Sequence, residues 1–234
     1  MKNTKNISKI LFVIIQVVVG IIIVASLVLL PFTPNDEGRS RLIFNATMAF
    51  VLLVLTLIPS IMEKTWKIDI PPFMETIFLF FSTLAFLFGE IFDFYLTFKW
   101  WDSMLHFLTG AAIACGGFTI INYYNTSNNS KSLSQMGAKF ACVFVICFTL
   151  ACGTIWEIVE FIADTINGTN MQRYMDSITN EVYIGRNALL DTMKDLVLDF
   201  LGGLILTILG YIDIIKHNGR LIGKLNIQKK DNKK

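Results

Sequence analysis

Six apolar runs alternate with short polar segments along the chain, at approximately 10–30, 42–62, 73–98, 101–121, 137–163 and 188–215. A helix that crosses a bilayer needs ~20 predominantly apolar residues, and each run meets that length. The pattern predicts an all-α fold, a polytopic transmembrane bundle of six helices. It forms one integral membrane domain over 1–234, with a basic tail at 216–234. The first run follows Lys2, Lys5 and Lys9, as a signal peptide would. Its apolar core of about 21 residues is too long for a cleaved segment, and no small-x-small cleavage site follows, so it reads as an uncleaved first helix. Asn122–Gln135 is rich in Ser and Asn and reads as a flexible connection. The segment Asp164–Asn187 is the longest connection and is placed to cap whatever lies beneath it. No internal repeat is visible.

Composition agrees with the pattern. Hydrophobic residues make up 54% of the chain, with 20 Phe, and charged residues only 16%, against ~25% in soluble domains. The mean hydropathy is +0.59. The four cysteines, Cys115, Cys142, Cys147 and Cys152, all lie inside apolar runs. Their spacing makes no metal-ligand pair and no disulfide framework.

The net charge of +2 matters less than where the charges fall. Of the 20 Lys and Arg, five (Arg39, Arg41, Lys99, Arg173, Arg186) lie in one set of alternate segments, and Lys194 lies inside the last span. The other fourteen lie in the opposite set. The positive-inside rule then places both termini in the cytoplasm of a multi-pass protein of the cell (inner) membrane. Membrane lipids are the expected surroundings, and no nucleic-acid partner is expected. The oligomeric state is not legible.

With that topology the intramembrane charges fall at one depth. Asp102 and His106 open the fourth run, Glu157, Glu160 and Asp164 close the fifth, and Asp191, Asp195 and Asp199 lie in the outer half of the sixth. Glu90 and Asp93 lie near the outer end of the third. Each charge near the bilayer centre costs roughly 2.5–3.5 kcal/mol on insertion scales. At about 100° per residue the three aspartates of the last run share an ~80° stripe. Asp102 and His106, four apart, meet on one face. At 1.5 Å per residue Glu157 lies ~10 Å below Asp164 and Asp199 ~12 Å below Asp191, so the two helices are expected to match carboxylates at equal depths. Clustered carboxylates repel one another and take up protons unless a cation sits among them. Oxygen ligands with one imidazole suit Mg²⁺, Mn²⁺, Ca²⁺ or Zn²⁺. Taken singly, Asp102 also reads as a helix N-cap, His106 as a buried hydrogen-bonded histidine and Asp164 as a solvated helix end. Trp100 and Trp101 read as interface anchors, and Gly110, Gly116, Gly117, Gly202 and Gly203 as close helix packing.

The motifs Asp102-x-x-x-His106-Phe107-x-x-Gly110, Trp156-Glu157-x-x-Glu160-Phe161 and Asp191-Thr192-x-x-Asp195-Leu196, ending at Gly202-Gly203, resemble those of the YjdF-type family of bacterial inner-membrane proteins. They are more distantly similar to VanZ-like proteins, which carry an Asp/His motif, a later Glu and a final Asp-rich helix. The match covers roughly 95–205. The first resemblance implies a membrane topology and functional weight on these positions without naming a reaction. The second points to chemistry of the cell envelope.

Two classes of function stand out. In a metal-dependent enzyme, Glu157, Glu160, Asp191 and Asp195, with Asp199 in addition, hold one or two divalent ions. His106, oriented by Asp102, acts as general acid or base on a lipid or lipid-linked headgroup. In a cation or proton transporter, the carboxylates and His106 form a relay, although the inner half offers little polar lining beyond Glu75, Asn45 and Asp213. A non-catalytic envelope tolerance factor is the third alternative.

Overall fold

A computed structural model describes residues 2–127, 137–225 and 228–229, with side chains over 8–125 and 137–225. The Ser/Asn-rich connection beyond Ser127, and the tail at 226–227 and 230–234, therefore lie outside the described residues. In chain order the elements are α1 (Lys2–Leu29), α2 (Asp36–Trp66), β1 (Ile68–Asp69), α3 (Pro72–Ser82), α4 (Phe94–Thr97), α5 (Trp101–Ser127), α6 (Ala138–Asn167), α7 (Arg186–His217) and β2 (Gln228–Lys229). Thr83–Ile91 continues α3 as a π-helix. β1 and β2 form one short antiparallel pair, Ile68 opposite Lys229.

Six helices are long and apolar enough to cross a membrane: Ser8–Phe32, Asp36–Trp66, Pro72–Ile91, Trp101–Asn125, Ala138–Asn167 and Arg186–His217. The all-α, six-span architecture is therefore present. The chain divides into two compact units, Met1–Trp101 with Ile227–Lys234, and Asp102–Asn226.

In the first unit α1 packs against α2 and α3, and two buried or half-buried polar pairs cross it. Ser8 Oγ donates to Glu75 Oε2 at 2.9 Å, and Gln16 Nε2 to Thr56 Oγ1 at 3.4 Å. The third span ends at Ile91 rather than near 98. Arg41 Nη2 donates to the carbonyls of Glu90 and Ile91 (3.3 and 2.9 Å) and to Asp93 Oδ2 (2.7 Å), which satisfies groups that the end of the π-helix exposes. Asp93 adopts a left-handed backbone, φ 58°, and the chain turns there into α4. Trp101 is buried, its ring edge-on to Phe94, while Trp100 is exposed.

In the second unit the buried core joins Ala114, Phe118 and Ile121 of α5 to Ala141 and Val145 of α6. Three glycines set how closely the helices approach. A Cβ at Gly110 or Gly202 would overlap the backbone carbonyl of Asp199 or Phe107 respectively, so α5 and α7 touch main chain to main chain. A Cβ at Gly153 of α6 would overlap the Asp199 carboxylate. Past α7, Asp213 Oδ2 accepts the N–H groups of Leu221 (2.9 Å) and Ile222 (3.1 Å) and folds Ile222 into the core. The start of the expected basic tail is therefore ordered structure as far as Leu225.

Candidate metal centre

The site lies wholly in the second unit, at the end of the helices that carries Trp101, Asn167 and Arg186. It begins with Asp164, buried on the last turn of α6. Its carboxylate accepts Thr169 Oγ1 (2.6 Å) and the N–H groups of Met171 (2.8 Å) and Gln172 (3.0 Å). These bonds turn the chain back over the helix end. Gln172 Nε2 then reaches the Glu157 carbonyl (3.3 Å), Glu157 Oε2 (3.4 Å) and Thr192 Oγ1 (3.1 Å), tying α6 to α7. Arg173 follows in a left-handed conformation, φ 46°. The segment continues as a hairpin with Met175 bridged to Val182. At its tip Asp176 Oδ1 accepts the N–H groups of Thr179 (2.8 Å) and Ile178 (2.9 Å), which hold its carboxyl below the usual carboxylate range.

Beneath this segment the charges of three helices converge. His106 Nδ1 lies 3.3 Å from Asp199 Oδ2, and Nε2 lies 3.7 Å from Asp102 Oδ1. Asp102, His106 and Asp195 each offer one ligand atom, all within 4.8 Å of one another, and all three residues are buried. Two cations border the set. Lys194 Nζ is 2.7 Å from Asp191 Oδ1, 3.6 Å from Asp195 Oδ1 and 3.9 Å from Asp102 Oδ2. Arg173 lies 3.7 Å from Asp102 Oδ2 and 3.9 Å from Asp191 Oδ2. Asp102 Oδ2, Asp195 Oδ1, Glu157 Oε1 and Arg173 Nη2 are buried without a hydrogen-bond partner among the described residues. Buried polar atoms are nearly always bonded to protein or water, so this concentration in one place marks a site with capacity for a ligand.

The residues expected from sequence separate into groups. Asp102, His106 and Asp195 form the tight set, and Asp199 backs His106. Asp191 pairs with the two cations at the rim. Glu157 faces Gln172, and Glu160 is buried on the same helix outside the tight set. The expected depth matching is off by about a turn: Asp199 faces Gly153, while Glu157 is joined through Gln172 to the level of Thr192. The glycines, which sequence reading assigned to packing, are what let α7 seat Asp199 that deep. Glu90 and Asp93 belong to the other unit, where Asp93 serves Arg41. Sequence reasoning missed Arg173, Lys194, Gln172 and Thr192. Lys194, a cation well inside the last span and three residues from Asp191, is the available signal.

The donor set fits a divalent ion. Two oxygens on opposite sides of Ca²⁺ lie up to ~5 Å apart, so a set within 4.8 Å spans such an ion, whereas ligand atoms ~3.3 Å apart around tetrahedral Zn²⁺ require shifts of up to about an ångström. Two carboxylates with an imidazole, the imidazole backed by a further carboxylate, are typical of such centres.

The family model described as a predicted membrane protein (DUF2238) matches residues 15–215, a range that includes every residue of this cluster. The chain is also 29% identical over 148 residues to an uncharacterised protein of Thermotoga maritima, an alignment covering 62% of this chain. It spans 65% of that relative's length, just under two thirds. No solved structure matches the chain.

Proposed function

The chain belongs to the DUF2238 family of predicted membrane proteins, and we propose that it is a metal-dependent membrane enzyme acting on a lipid or lipid-linked headgroup. The observation that carries this reading is the convergence of Asp102, His106 and Asp195, three buried ligand groups from two helices. Their mixture of imidazole and carboxylate suits Mn²⁺ or Zn²⁺ better than Mg²⁺ or Ca²⁺. His106 would hold the ion through Nε2, because Nδ1 faces Asp199, a contact that would fix the tautomer and the ring orientation. The sequence suggests His106 as general acid or base, oriented by Asp102; the Asp199 contact favours a ligand role for His106. When bound, the ion activates water or polarises an ester or phosphoryl oxygen. Glu157, whose Oε1 has no hydrogen-bond partner among the described residues, would be the proton acceptor. Lys194 and Arg173 hold Asp102 and Asp191 in position and offset part of the acidic charge.

The resemblance to YjdF-type and, more distantly, VanZ-like proteins belongs to the same proposal, as does an outward-facing site in the cytoplasmic membrane. Transport is the weaker reading. Toward the opposite end of the unit, Thr149 and Thr207 donate to carbonyls of their own helices (2.9 and 2.7 Å), and Asp213 is engaged by backbone. Among the described residues these groups are bonded locally, apart from Asp213 Oδ1, which is buried without a hydrogen-bond partner.

The test is elemental analysis of purified protein from cells grown with Mn²⁺ and Zn²⁺. About one ion per chain is expected, lost in Asp195→Asn and His106→Gln and kept in Asp191→Asn. Folded wild-type protein without a stoichiometric divalent ion would overturn the proposal.

A further inference from the structure

A cleft of about 510 Å³ opens between α6 and α7 beneath the segment that follows Asp164. Its lining joins the apolar Phe161, Ala188 and Leu189 and the ring of Tyr174 to the polar Asp164, Gln172 and Thr192. That volume falls within the ~300–1,000 Å³ of small-molecule sites. We propose that the cleft is a lateral binding site for one membrane lipid, which seats its first methylenes between Phe161 and Leu189 and presents a hydrogen-bond-donating headgroup to Gln172 and Glu157.

Two independent observations support this occupant. The first is continuity with the lipid-facing surface. Phe161 and Leu189 are exposed, and so are their neighbours Ile158, Ile162, Leu190 and Met193, all on helices that span the membrane. A groove in that surface is filled from the bilayer. The second is the chemistry of the inner side. The Gln172 amide has two protons and serves three acceptors at 3.1–3.4 Å, longer than the ~2.9–3.0 Å of a well-formed bond. Behind it, outside the lining of the cleft, Glu157 is only 4% exposed, and its Oε1 has no hydrogen-bond partner among the described residues. A headgroup hydroxyl or ammonium supplies the missing donor, whereas a quaternary ammonium has no proton to give. The cleft is therefore selective for headgroups with O–H or N–H donors. This rests on the reading above for the fate of the headgroup, but the binding itself needs no metal.

The experiment is native mass spectrometry of the full chain released from nanodiscs made of equal parts phosphatidylglycerol and phosphatidylcholine. Wild-type protein is expected to retain one lipid, with phosphatidylglycerol favoured at least tenfold. Ala188→Trp fills the cleft and loses that lipid, while Val197→Trp, exposed on the same helix away from the cleft, keeps it. Gln172→Leu leaves the cleft open and erases the headgroup preference, which preserves a test if Ala188→Trp does not fold. Equal retention of the two lipids by wild type, or undiminished retention by folded Ala188→Trp, would overturn the proposal. Asp195→Asn separates it from the metal reading, since lipid retention is expected to survive when the ion is lost. A wild-type protein that lacks metal yet shows the cleft-dependent lipid would sink the enzyme proposal and leave this one standing.

Discussion

His106 is backed by a residue 93 positions away in the sequence. Asp199 Oδ2 sits 3.3 Å from Nδ1, while Nε2 faces Asp102 Oδ1 at 3.7 Å. Removing such a backing carboxylate from a metal-ligating histidine typically lowers metal affinity by 10–100-fold. Asp199→Asn is therefore expected to weaken binding by that factor without abolishing it, measured by competition with a chelator of known affinity. An unchanged affinity would mean that His106 does not hold the ion through Nε2. Steric neighbours matter as much as charge here. A methyl at Gly110 or Gly202 meets backbone, which cannot swing away, and overpacking costs about 1–3 kcal/mol. Gly202→Ala should lower the midpoint of thermal unfolding in detergent. Gly153→Ala meets only the Asp199 side chain. It should disturb metal affinity more than stability.

At the scale of elements, one carboxylate organises the segment that roofs the site. Asp164 accepts three hydrogen bonds from Thr169, Met171 and Gln172, and bonds to a charged group contribute roughly 1.5–3 kcal/mol each. Asp164→Ala should therefore raise amide hydrogen exchange at Met171 and Gln172 by two or more orders of magnitude while exchange in the middle of α6 stays slow. Global unfolding instead would mean that the roof and the bundle form one cooperative unit. The hairpin beyond it carries a pH dependence. The Asp176 carboxyl is held low by the N–H groups of Thr179 and Ile178, so its contribution to local order is fully present above the ordinary carboxylate range and lost as pH falls below that range, through the lowered pKa of the folded hairpin. The Thr179 amide resonance should hold steady above pH ~5 and shift below ~4. At this scale sequence patterning was informative about faces and poor about ends. Spacings of four placed Asp191, Asp195 and Asp199 on one stripe, a local property of any helix. The end of the third span depends on Arg41, fifty residues away from Ile91, and no local pattern contains that contact. The depth of Asp199 against Gly153, and the arrival of Gln172 and Arg173 over the cluster, likewise follow from tertiary approach and loop geometry.

For the whole molecule, six spans were legible because a bilayer imposes a length on every crossing element. Orientation is a separate property, carried by charge asymmetry alone. Five of the 20 Lys and Arg lie on the side shared by Arg173 and Arg186, one lies within the last span, and the rest lie on the other side. That imbalance predicts that the acidic cluster and its roof face outward and that the tail after α7 is cytoplasmic. Ser177, exposed in the hairpin, is a suitable reporter once the four native cysteines are replaced. A single Ser177→Cys in intact cells should react with a membrane-impermeant maleimide, whereas Arg220→Cys should react only after the membrane is opened. The reverse pattern would place the cluster on the cytoplasmic side, where a substrate would have to come from the inner leaflet. Labelling of both sites in intact cells would mean dual insertion. Either result would leave the cluster geometry intact while overturning the outward site, because the arrangement of Asp102, His106 and Asp195 is fixed by helix packing and the facing by charge at the span ends.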